Sequence, residues 1–325
     1  MTRLPSPSFW RKRRVVVTGG TGFLGLRMLG QLHQMGAEVS SLSRRQGCDL
    51  RDRQQAERAL ADLRPEVVFS LAAHQGGVAY QRVCPATILH DNILITVNTM
   101  ESARLAGATL YVNIIAACAY PAAPLGLAFH EDEFEGGPMH ESADNYGMSK
   151  RVAMMQAKHY RRQYGFNVAS IALANCYGPG DHFSTDRSHV LAALLRRFHE
   201  AKRDHLPEVT VWGRGVAERD LLYVDDAVVG VLLALEHCPD VDLLNIGTGR
   251  GCSIADLAEM IRTAVGYAGI IAYDASKPEG PLKKTLDVSR MRSLLGWSPP
   301  TPLAEGIQRT YTWLNEHYQE ASRDG

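Results

Sequence analysis

The sequence lacks an excess of charge of one sign, long apolar runs and a pattern of paired cysteines, and each absence excludes a class of protein. Among its 325 residues, 35 lysines and arginines balance 35 acidic residues, so the composition indicates neither a nucleic-acid partner nor binding to a charged membrane surface. Apolar runs long enough to span a bilayer are missing, and the basic segment 11–14 lacks the apolar core of a secretory signal. The 6 cysteines show neither paired metal-ligand spacing nor a disulfide framework, which predicts a cytoplasmic protein without a structural metal.

A glycine-rich loop directly follows the first apolar strand. Val15 to Thr18 lead into Gly19, Gly22 and Gly25, and a helical pattern runs from Leu26 to Met35. Glycines allow a tight turn and close backbone approach, and the helix N-terminus presents N–H groups to a pyrophosphate. This order of strand, loop and helix predicts a dinucleotide site, although a purely structural turn is the alternative. The predicted cofactor contacts in this loop are Gly19, Gly22, Phe23, Leu24 and Gly25.

The second predicted strand, 37–42, ends in positive charge where an NAD site would carry an acid. Ser43, Arg44 and Arg45 suit the 2′-phosphate of an adenosine ribose, because guanidinium groups bind phosphate well. NADP(H) is therefore favoured over NAD(H), with a solvated basic loop as the alternative. We expect Ser43 and Arg44 to contact the cofactor, and Asp49 with Leu50 to lie at its adenine.

Short apolar runs alternate with helical patterns along the chain. The predicted strands are 67–73, 110–115, 168–174 and 243–246, and the predicted helices are 54–63, 88–106, 144–164 and 225–236. This alternation predicts an α/β protein with a doubly wound parallel sheet of Rossmann type and a smaller C-terminal substrate-binding lobe. We expect the Rossmann domain to span residues 1–175 with returning segments at about 217–250, and the lobe to take most of 176–325.

Tyr146 and Lys150 form the pattern of an acid-base pair. Residues four apart share one face of a helix, so the Lys150 ammonium can lie beside the Tyr146 phenol. A nearby cation would lower the phenol pKa from its ordinary value of roughly 10 and ease proton exchange with a carbonyl oxygen. Taken alone, the same spacing also occurs in ordinary helices with one solvated face.

Further motifs are spaced along most of the chain: Leu71-Ala-Ala-His-Gln-Gly-Gly77, Ala117-Cys-Ala-Tyr-Pro121, Asn175-Cys-Tyr-Gly-Pro179, Ser188-His-Val190, Val211-Trp-Gly213, Leu222-Tyr-Val-Asp-Asp226 and Asn245-Ile-Gly-Thr-Gly249. With the glycine loop and the Tyr146–Lys150 pair, they resemble the extended short-chain dehydrogenase/reductase family, and within it the GDP-L-fucose synthases. The resemblance implies a GDP-4-keto-6-deoxyhexose substrate, epimerised at C3 and C5 and then reduced at the C4 ketone by NADPH. It also implies a homodimer, formed through the helices 88–106 and 144–164.

Residue roles follow from the same resemblance. Cys118 takes the role of the base that removes the protons alpha to the ketone, and His189 that of the acid that returns one. Read alone, Cys118 would be a buried thiol and His189 a surface or helix-capping residue. Cofactor contacts are implied for Leu71, Ala72, Ala73, Lys150 and Asn175, and substrate contacts for Asn175, Arg187, Val190, Trp212 and Arg219. For Trp212 a core position is the alternative, and for the two arginines a solvated ion pair.

Ala116 departs from the family pattern, which has a serine that donates to the substrate carbonyl. Loss of one such donor typically slows reduction by about 10² to 10³. The chain could reduce its substrate with Tyr146 and water or another hydroxyl, be an epimerase without efficient hydride transfer, or carry an engineered Ser-to-Ala change. A non-catalytic NADP-binding sensor is a further alternative. His74 and Gln75 also stand where the family tends to carry a lysine, which suggests a different GDP-hexose.

Overall fold

The computed structural model describes residues 3–185, 187–277 and 280–322. The strands are β1 Arg14–Thr18, β2 Glu38–Leu42, β3 Val67–Ser70, β4 Leu110–Ala116, β5 Val168–Leu173, β6 Asn175–Tyr177, β7 Glu208–Trp212, β8 Glu218–Arg219, β9 Leu221–Tyr223, β10 Leu244–Ile246, β11 Cys252–Ser253 and β12 Ile270–Asp274. Six of them form a parallel sheet in the order β10-β5-β4-β3-β1-β2. The others pair as β6 with β9, β7 with β12 and β8 with β11.

Helices cover both faces of this sheet. They are α1 Pro7–Trp10, α2 Phe23–Gln34, α3 Arg53–Leu63, α4 Val78–Val83, α5 Pro85–Leu105, α6 Asp144–Tyr164, α7 Val190–Arg203, α8 Val224–His237, α9 Ile254–Val265, α10 Ser289–Leu295 and α11 Leu303–Ala321. Strands β3 and β5 are buried along their whole length, as expected between two helical layers. The predicted doubly wound α/β fold is confirmed.

Local chemistry sets the ends of these elements. Helix α6 has the predicted bounds and stops at Gly165, which adopts a left-handed conformation that suits glycine. Strand β3 is shorter than the predicted 67–73, because the backbone N–H groups of Leu71 and Ala72 donate to the Thr18 hydroxyl instead of a neighbouring strand. The chain therefore leaves the sheet after Ser70 and turns toward the loop that carries His74.

A second apolar core lies outside the sheet. It joins α7, α9 and α11 to the β7–β12 pair through side chains such as Leu195, Phe198, Leu257, Ile261 and Leu314. This core corresponds in sequence to the predicted substrate lobe. The domain boundaries at residue 175 and at about 217–250 stay predictions.

The strand order reverses beside β1, with β2 on one side and β3 on the other. In open α/β sheets, ligands bind at the carboxyl ends of the strands near such a reversal. Thr18, Ser70, Ala116 and Leu173 are the last residues of four adjacent strands at that edge. Within the described ranges, every helix is too short or too polar to cross a membrane.

Candidate active site

A cavity of about 570 Å³ opens at this edge of the sheet. Its wall includes every residue predicted to bind the cofactor or to act in catalysis, and all but one of the predicted substrate contacts. The lining residues among these are Gly19, Gly22, Phe23, Leu24, Gly25, Ser43, Arg44, Asp49, Leu50, Leu71, Ala72, Ala73, Cys118, Tyr146, Lys150, Asn175, Arg187, His189, Val190 and Arg219. One concave site thus brings together residues that are up to 200 positions apart in the sequence.

The glycine loop is packed too closely against its own backbone neighbours to hold side chains at two of its glycines. Gly19 has φ +68°, and a Cβ atom there would lie 2.7 Å from the backbone nitrogen of Ala72. A Cβ on Gly25 would lie 2.2 Å from the carbonyl oxygen of Gly19. Helix α2 begins at Phe23 after Gly22, so the first N–H groups of the helix face the loop without a capping side chain. A side chain at Gly19 or Gly25 would therefore break the turn.

The end of the cavity near β2 is basic. Arg44 and Arg45 are exposed there, and Ser43 is buried with its hydroxyl donating to Gln46. Arg51, which the sequence analysis missed, binds Asp49 through a side-chain hydrogen bond that holds the pKa of that carboxyl below its ordinary value. The predicted adenine contact of Asp49 stays a prediction, and Arg51 competes for the same carboxylate.

Tyr146 and Lys150 lie on the cavity side of α6, with the Lys150 ammonium 5.3 Å from the centre of the Tyr146 ring. Burial and the neighbouring Cys118 raise the pKa of the Tyr146 phenol well above its ordinary value. Burial lowers the pKa of Lys150 to about 8. The expected lowering of the Tyr146 pKa is therefore absent from the described structure, because burial decides the direction of the shift, and the phenol is neutral.

Cys118 lies in the short 3₁₀ turn Ala117–Ala119 that follows β4. Burial raises the pKa of its thiol, while the positive charges of Lys284 and Lys150 act in the opposite direction. Lys284 lines the same cavity and was not predicted, since a lone lysine in a loop carries no periodic signal. The two lysines are the groups that can stabilise a Cys118 thiolate.

His189 precedes helix α7 as its N-cap residue, but its side chain makes no capping bond. Burial lowers the pKa of the imidazole to about 4, and the charges of Lys284 and His182 add to this effect. The Gln75 amide nitrogen lies 3.4 Å from His189 Nε2. At neutral pH His189 is therefore a neutral imidazole beside Gln75.

Arg219 and Trp212 differ in their relation to the cavity. Arg219 lines it, and its Nη1 donates to the carbonyl oxygens of Glu218 and Pro281 at 2.7 Å each. Trp212 is missing from the lining among the described residues; its side chain is 41% exposed at the end of β7, with the Arg197 guanidinium 4.9 Å from its ring. The predicted substrate contact of Trp212 stays a prediction.

Ala116 lines the cavity with a methyl group, and a hydroxyl on the segment before α6 lines the same cavity. Ser142 is buried, lines the cavity and has its Oγ 2.9 Å from His140 Nδ1. Gly147 of α6 lies against both this segment and the Cys118 turn, since a Cβ there would lie 2.6 Å from the Cys118 carbonyl oxygen and 2.7 Å from the Met139 sulfur. Ser149, by contrast, donates to the Tyr146 carbonyl.

Comparisons with known proteins identify relatives of this chain. Residues 15–247 match the family described as NAD dependent epimerase/dehydratase. The GDP-L-fucose synthase of Escherichia coli K12 is 34% identical over 316 residues, which cover 94% of this chain and 98% of the relative. A Naegleria fowleri GDP-L-fucose synthetase structure has a TM-score of 0.86 at 25% identity, covering 95% of both chains. A Campylobacter jejuni GDP-mannoheptose C4 reductase, solved with NADP bound, has a TM-score of 0.82 at 25% identity, covering 94% of this chain and 98% of that one.

Proposed function

Since this chain belongs to the NAD dependent epimerase/dehydratase family, of extended short-chain dehydrogenase/reductase type, we propose that it epimerises and then reduces a GDP-4-keto-6-deoxyhexose. More broadly, it is an NADP-dependent nucleotide-sugar epimerase/reductase of the GDP-L-fucose synthase type. The observation that carries the finer proposal is the single cavity that joins the glycine loop, Tyr146, Lys150, Cys118 and His189. A protein that only bound a nucleotide would have no chemical use for this set.

The residues of the cavity fit NADP(H). The loop suits a pyrophosphate, because the tight turn at Gly19 and Gly25 leads directly into the N-terminus of α2, whose first N–H groups have no capping side chain. We assign Ser43 and Arg44 to the 2′-phosphate, because a hydroxyl and a guanidinium suit it, and Leu71 to Ala73 and Asn175 to further cofactor contacts in the same cavity. When bound, NADPH supplies the hydride that reduces the C4 ketone.

Tyr146 serves both halves of the proposed reaction. Carbons C3 and C5 flank the ketone, so their hydrogens become acidic when the developing enolate oxygen receives a hydrogen bond. A neutral phenol can give that bond during epimerisation and can give its proton to the alkoxide oxygen during reduction. Lys150, with a pKa of about 8, holds a proton at neutral pH that can restore the phenol.

Cys118 and His189 are proposed to move protons on the two faces of the sugar. As a thiolate, Cys118 takes a proton from C3 or C5, and His189 as imidazolium returns one to the opposite face. Lys284 and Lys150 favour the thiolate. The diphosphate of a GDP-sugar would favour the imidazolium, because a nearby anion stabilises the protonated form.

Ala116 supports a second candidate, an epimerase that reduces its product slowly or not at all. Without the hydroxyl of the family pattern, the carbonyl oxygen receives one donor fewer during hydride transfer. An oxyanion donor is typically worth about 10² to 10³ in rate. Epimerisation depends less on this position when Tyr146 and the proton-transfer pair remain.

The test follows both halves in one sample. GDP-4-keto-6-deoxy-D-mannose and NADPH are added to the protein in D₂O, with NADPH absorbance and substrate deuteration recorded together. Deuterium at C3 or C5 with NADPH consumption supports the epimerase/reductase, and deuteration alone supports the epimerase. Silence in both channels rejects this substrate.

The Cys118→Ser variant tests the assignment of the base. We expect deuterium exchange to fall by at least about 10²-fold, because a hydroxyl is a far weaker base than a thiolate near neutral pH. NADPH binding should be unchanged. Cys84→Ser, at a free cysteine outside the described cavity lining, is the matched control. Exchange that survives in Cys118→Ser contradicts the assignment.

A further inference from the structure

Asp91 joins two residues of the cavity lining, Arg51 and His74, through side-chain hydrogen bonds. It lies on α5 with 5% of its surface exposed. One carboxylate oxygen accepts from Arg51 at 3.0 Å and lies 2.8 Å from His74 Nδ1. Although burial acts to raise it, the bonds from His74, His90 and Arg51 hold the pKa of Asp91 below its ordinary value. An anionic Asp91 places the donating N–H of His74 on Nδ1.

The other ring nitrogen of His74 reaches Tyr80. His74 Nε2 lies 2.8 Å from the Tyr80 hydroxyl, and with Nδ1 donating to Asp91, Nε2 accepts the phenol proton. Both nitrogens of the imidazole are therefore bonded, and the ring is fixed between a carboxylate and a phenol. This is the arrangement in which an acid orients a histidine, and the histidine in turn orients a third group.

The position of the loop backbone does not depend on these side-chain bonds. Asn92 already holds the backbone of His74, because its Oδ1 accepts the His74 N–H at 2.9 Å and its Nδ2 donates to the His74 carbonyl at 2.6 Å. Asn92 is itself buried and also donates to the carbonyl of Ile88 at 2.7 Å. The position of the loop is thus set by Asn92, and the orientation of the His74 ring has a separate consequence.

That consequence is found at Tyr80, whose ring packs against a cation of the cavity. The Arg187 guanidinium carbon lies 5.1 Å from the centre of the Tyr80 ring, within the range of cation–π contact. Arg187 lines the cavity two residues before His189. Donation of the Tyr80 proton to His74 makes the ring more electron-rich and strengthens its attraction for a guanidinium.

We propose that His74 is a positioning residue for the substrate: oriented by Asp91, it fixes Tyr80 against Arg187 and so holds this cation where a nucleoside diphosphate binds. The inference rests on the proposed function, which supplies a GDP-sugar as the anionic ligand. It assigns a role to His74, Tyr80 and Asp91 that neither proton transfer nor hydride transfer requires.

The test measures nucleotide affinity as well as turnover. His74→Ala and Tyr80→Phe are compared with wild type for GDP binding to the NADP-loaded protein by calorimetry, and for KM and kcat with GDP-4-keto-6-deoxy-D-mannose. We expect Kd and KM to rise about fivefold to tenfold, the usual effect of losing one polar contact, with kcat within about twofold. His74→Gln keeps a donor and an acceptor and should restore part of the affinity.

A double-mutant cycle shows whether His74 acts through Arg187. Arg187→Ala should raise Kd at least as much as His74→Ala, and the double variant should be no weaker than Arg187→Ala alone. His90→Ala is the matched control. This histidine lies 3.4 Å from the other Asp91 oxygen, but its side chain is 71% exposed, so its removal should leave GDP binding unchanged.

The outcomes separate this inference from the proposed function. If wild type does not turn over the substrate but the Kd for GDP shifts as expected, the proposed substrate is rejected and the positioning role stands. If turnover is normal and His74→Ala binds GDP like wild type, the positioning role is rejected. A double variant whose Kd for GDP rises by the product of the two single effects, about 50-fold or more, also overturns the positioning role, because the two residues would then act independently. So does a His74→Ala variant that loses NADP binding and thermal stability.

Discussion

Ala116→Ser is the perturbation that tests the geometry of the reducing site most directly. Ala116 is the last residue of β4 and lines the cavity beside the turn that carries Cys118. Its backbone, at φ −105° and ψ 145°, is ordinary extended conformation, which serine adopts without strain. The change replaces one methyl hydrogen by a hydroxyl, which adds a single oxygen atom to a side chain that already lines the cavity. The variant therefore changes one donor and little else.

The expected gain follows from the worth of a single oxyanion donor. Such a donor contributes roughly 2.7 to 4 kcal/mol to the transition state, so hydride transfer should accelerate by about 10² to 10³. Exchange of the C3 and C5 protons should rise less, because it depends on Cys118 and His189 as well. If Ser142 or water already gives a hydrogen bond to the carbonyl oxygen, the gain will be nearer the lower value.

Single-turnover measurements in D₂O give both rates from one sample. NADPH absorbance reports reduction, and mass spectrometry of quenched samples reports deuterium at C3 and C5. The ratio of the two rates is independent of the fraction of active protein. An unchanged ratio in Ala116→Ser would refute the reasoning, since it would mean that the reacting carbonyl does not lie at the end of β4. Ser142→Ala, measured in both backgrounds, shows whether that hydroxyl substitutes.

Three further predictions concern other parts of the site. Replacing both Arg44 and Arg45 by Ala should raise the Kd for NADPH about tenfold or more and leave that for NADH nearly unchanged, as fluorescence titration would show. Burial raises the pKa of Asp181 from 3.8 to about 7, so an ionised Asp181 destabilises the folded protein. Asp181→Asn should therefore stabilise the protein above pH 7, by less than about 4 kcal/mol, and thermal melts should show this difference vanish near pH 4. The His189 pKa, about 4 in this structure, should rise when GDP is added, as imidazole NMR shifts would report.

Each of these has a contradicting result. Equal losses for NADPH and NADH would place the two arginines away from the 2′-phosphate. For Asp181 the direction of the pH dependence is fixed. A carboxyl whose pKa is raised in the folded protein leaves stability intact below its unfolded pKa of 3.8, and stability is lost as the pH rises from there through about 7. An Asp181→Asn variant that is less stable than wild type at pH 8 would contradict a carboxylate whose burial outweighs the hydrogen bond that it accepts from the His182 N–H. A His189 pKa unmoved by GDP would separate it from the diphosphate.

Strong local rules made the fold predictable from sequence. The order of strand, glycine loop and helix constrains the backbone tightly, and helix α6 has the predicted bounds because Gly165 ends it. The bounds of β3 were less predictable, since the Thr18 hydroxyl that accepts from Leu71 and Ala72 is distant in the sequence. Long-range side-chain competition for backbone donors has no local pattern.

The residues of the candidate site also differ in how far the sequence predicted them. Residues tied to motifs, such as Cys118, Tyr146 and Lys150, come together in the cavity. Lys284 and Asp91 reach it from a loop and from the middle of a helix, and neither position carries a spacing signal. The protonation states were also beyond sequence reasoning, because a cation beside Tyr146 suggests a lowered pKa, whereas burial decides the direction in the folded protein.

The protonation states place a condition on the proposed mechanism. A base and an acid of the kind assigned to Cys118 and His189 work as thiolate and imidazolium, yet burial raises the thiol pKa and lowers that of the imidazole to about 4. The charge of Lys284 favours the Cys118 thiolate but disfavours the His189 imidazolium, so this lysine cannot stabilise both ionised forms. A diphosphate that binds near Lys284 and His189 would favour the imidazolium while Lys150 still faces Cys118. The nucleotide of the substrate would then set the ionisation of the site as well as anchor the sugar, and a sugar without its diphosphate should exchange its alpha protons poorly even at saturation.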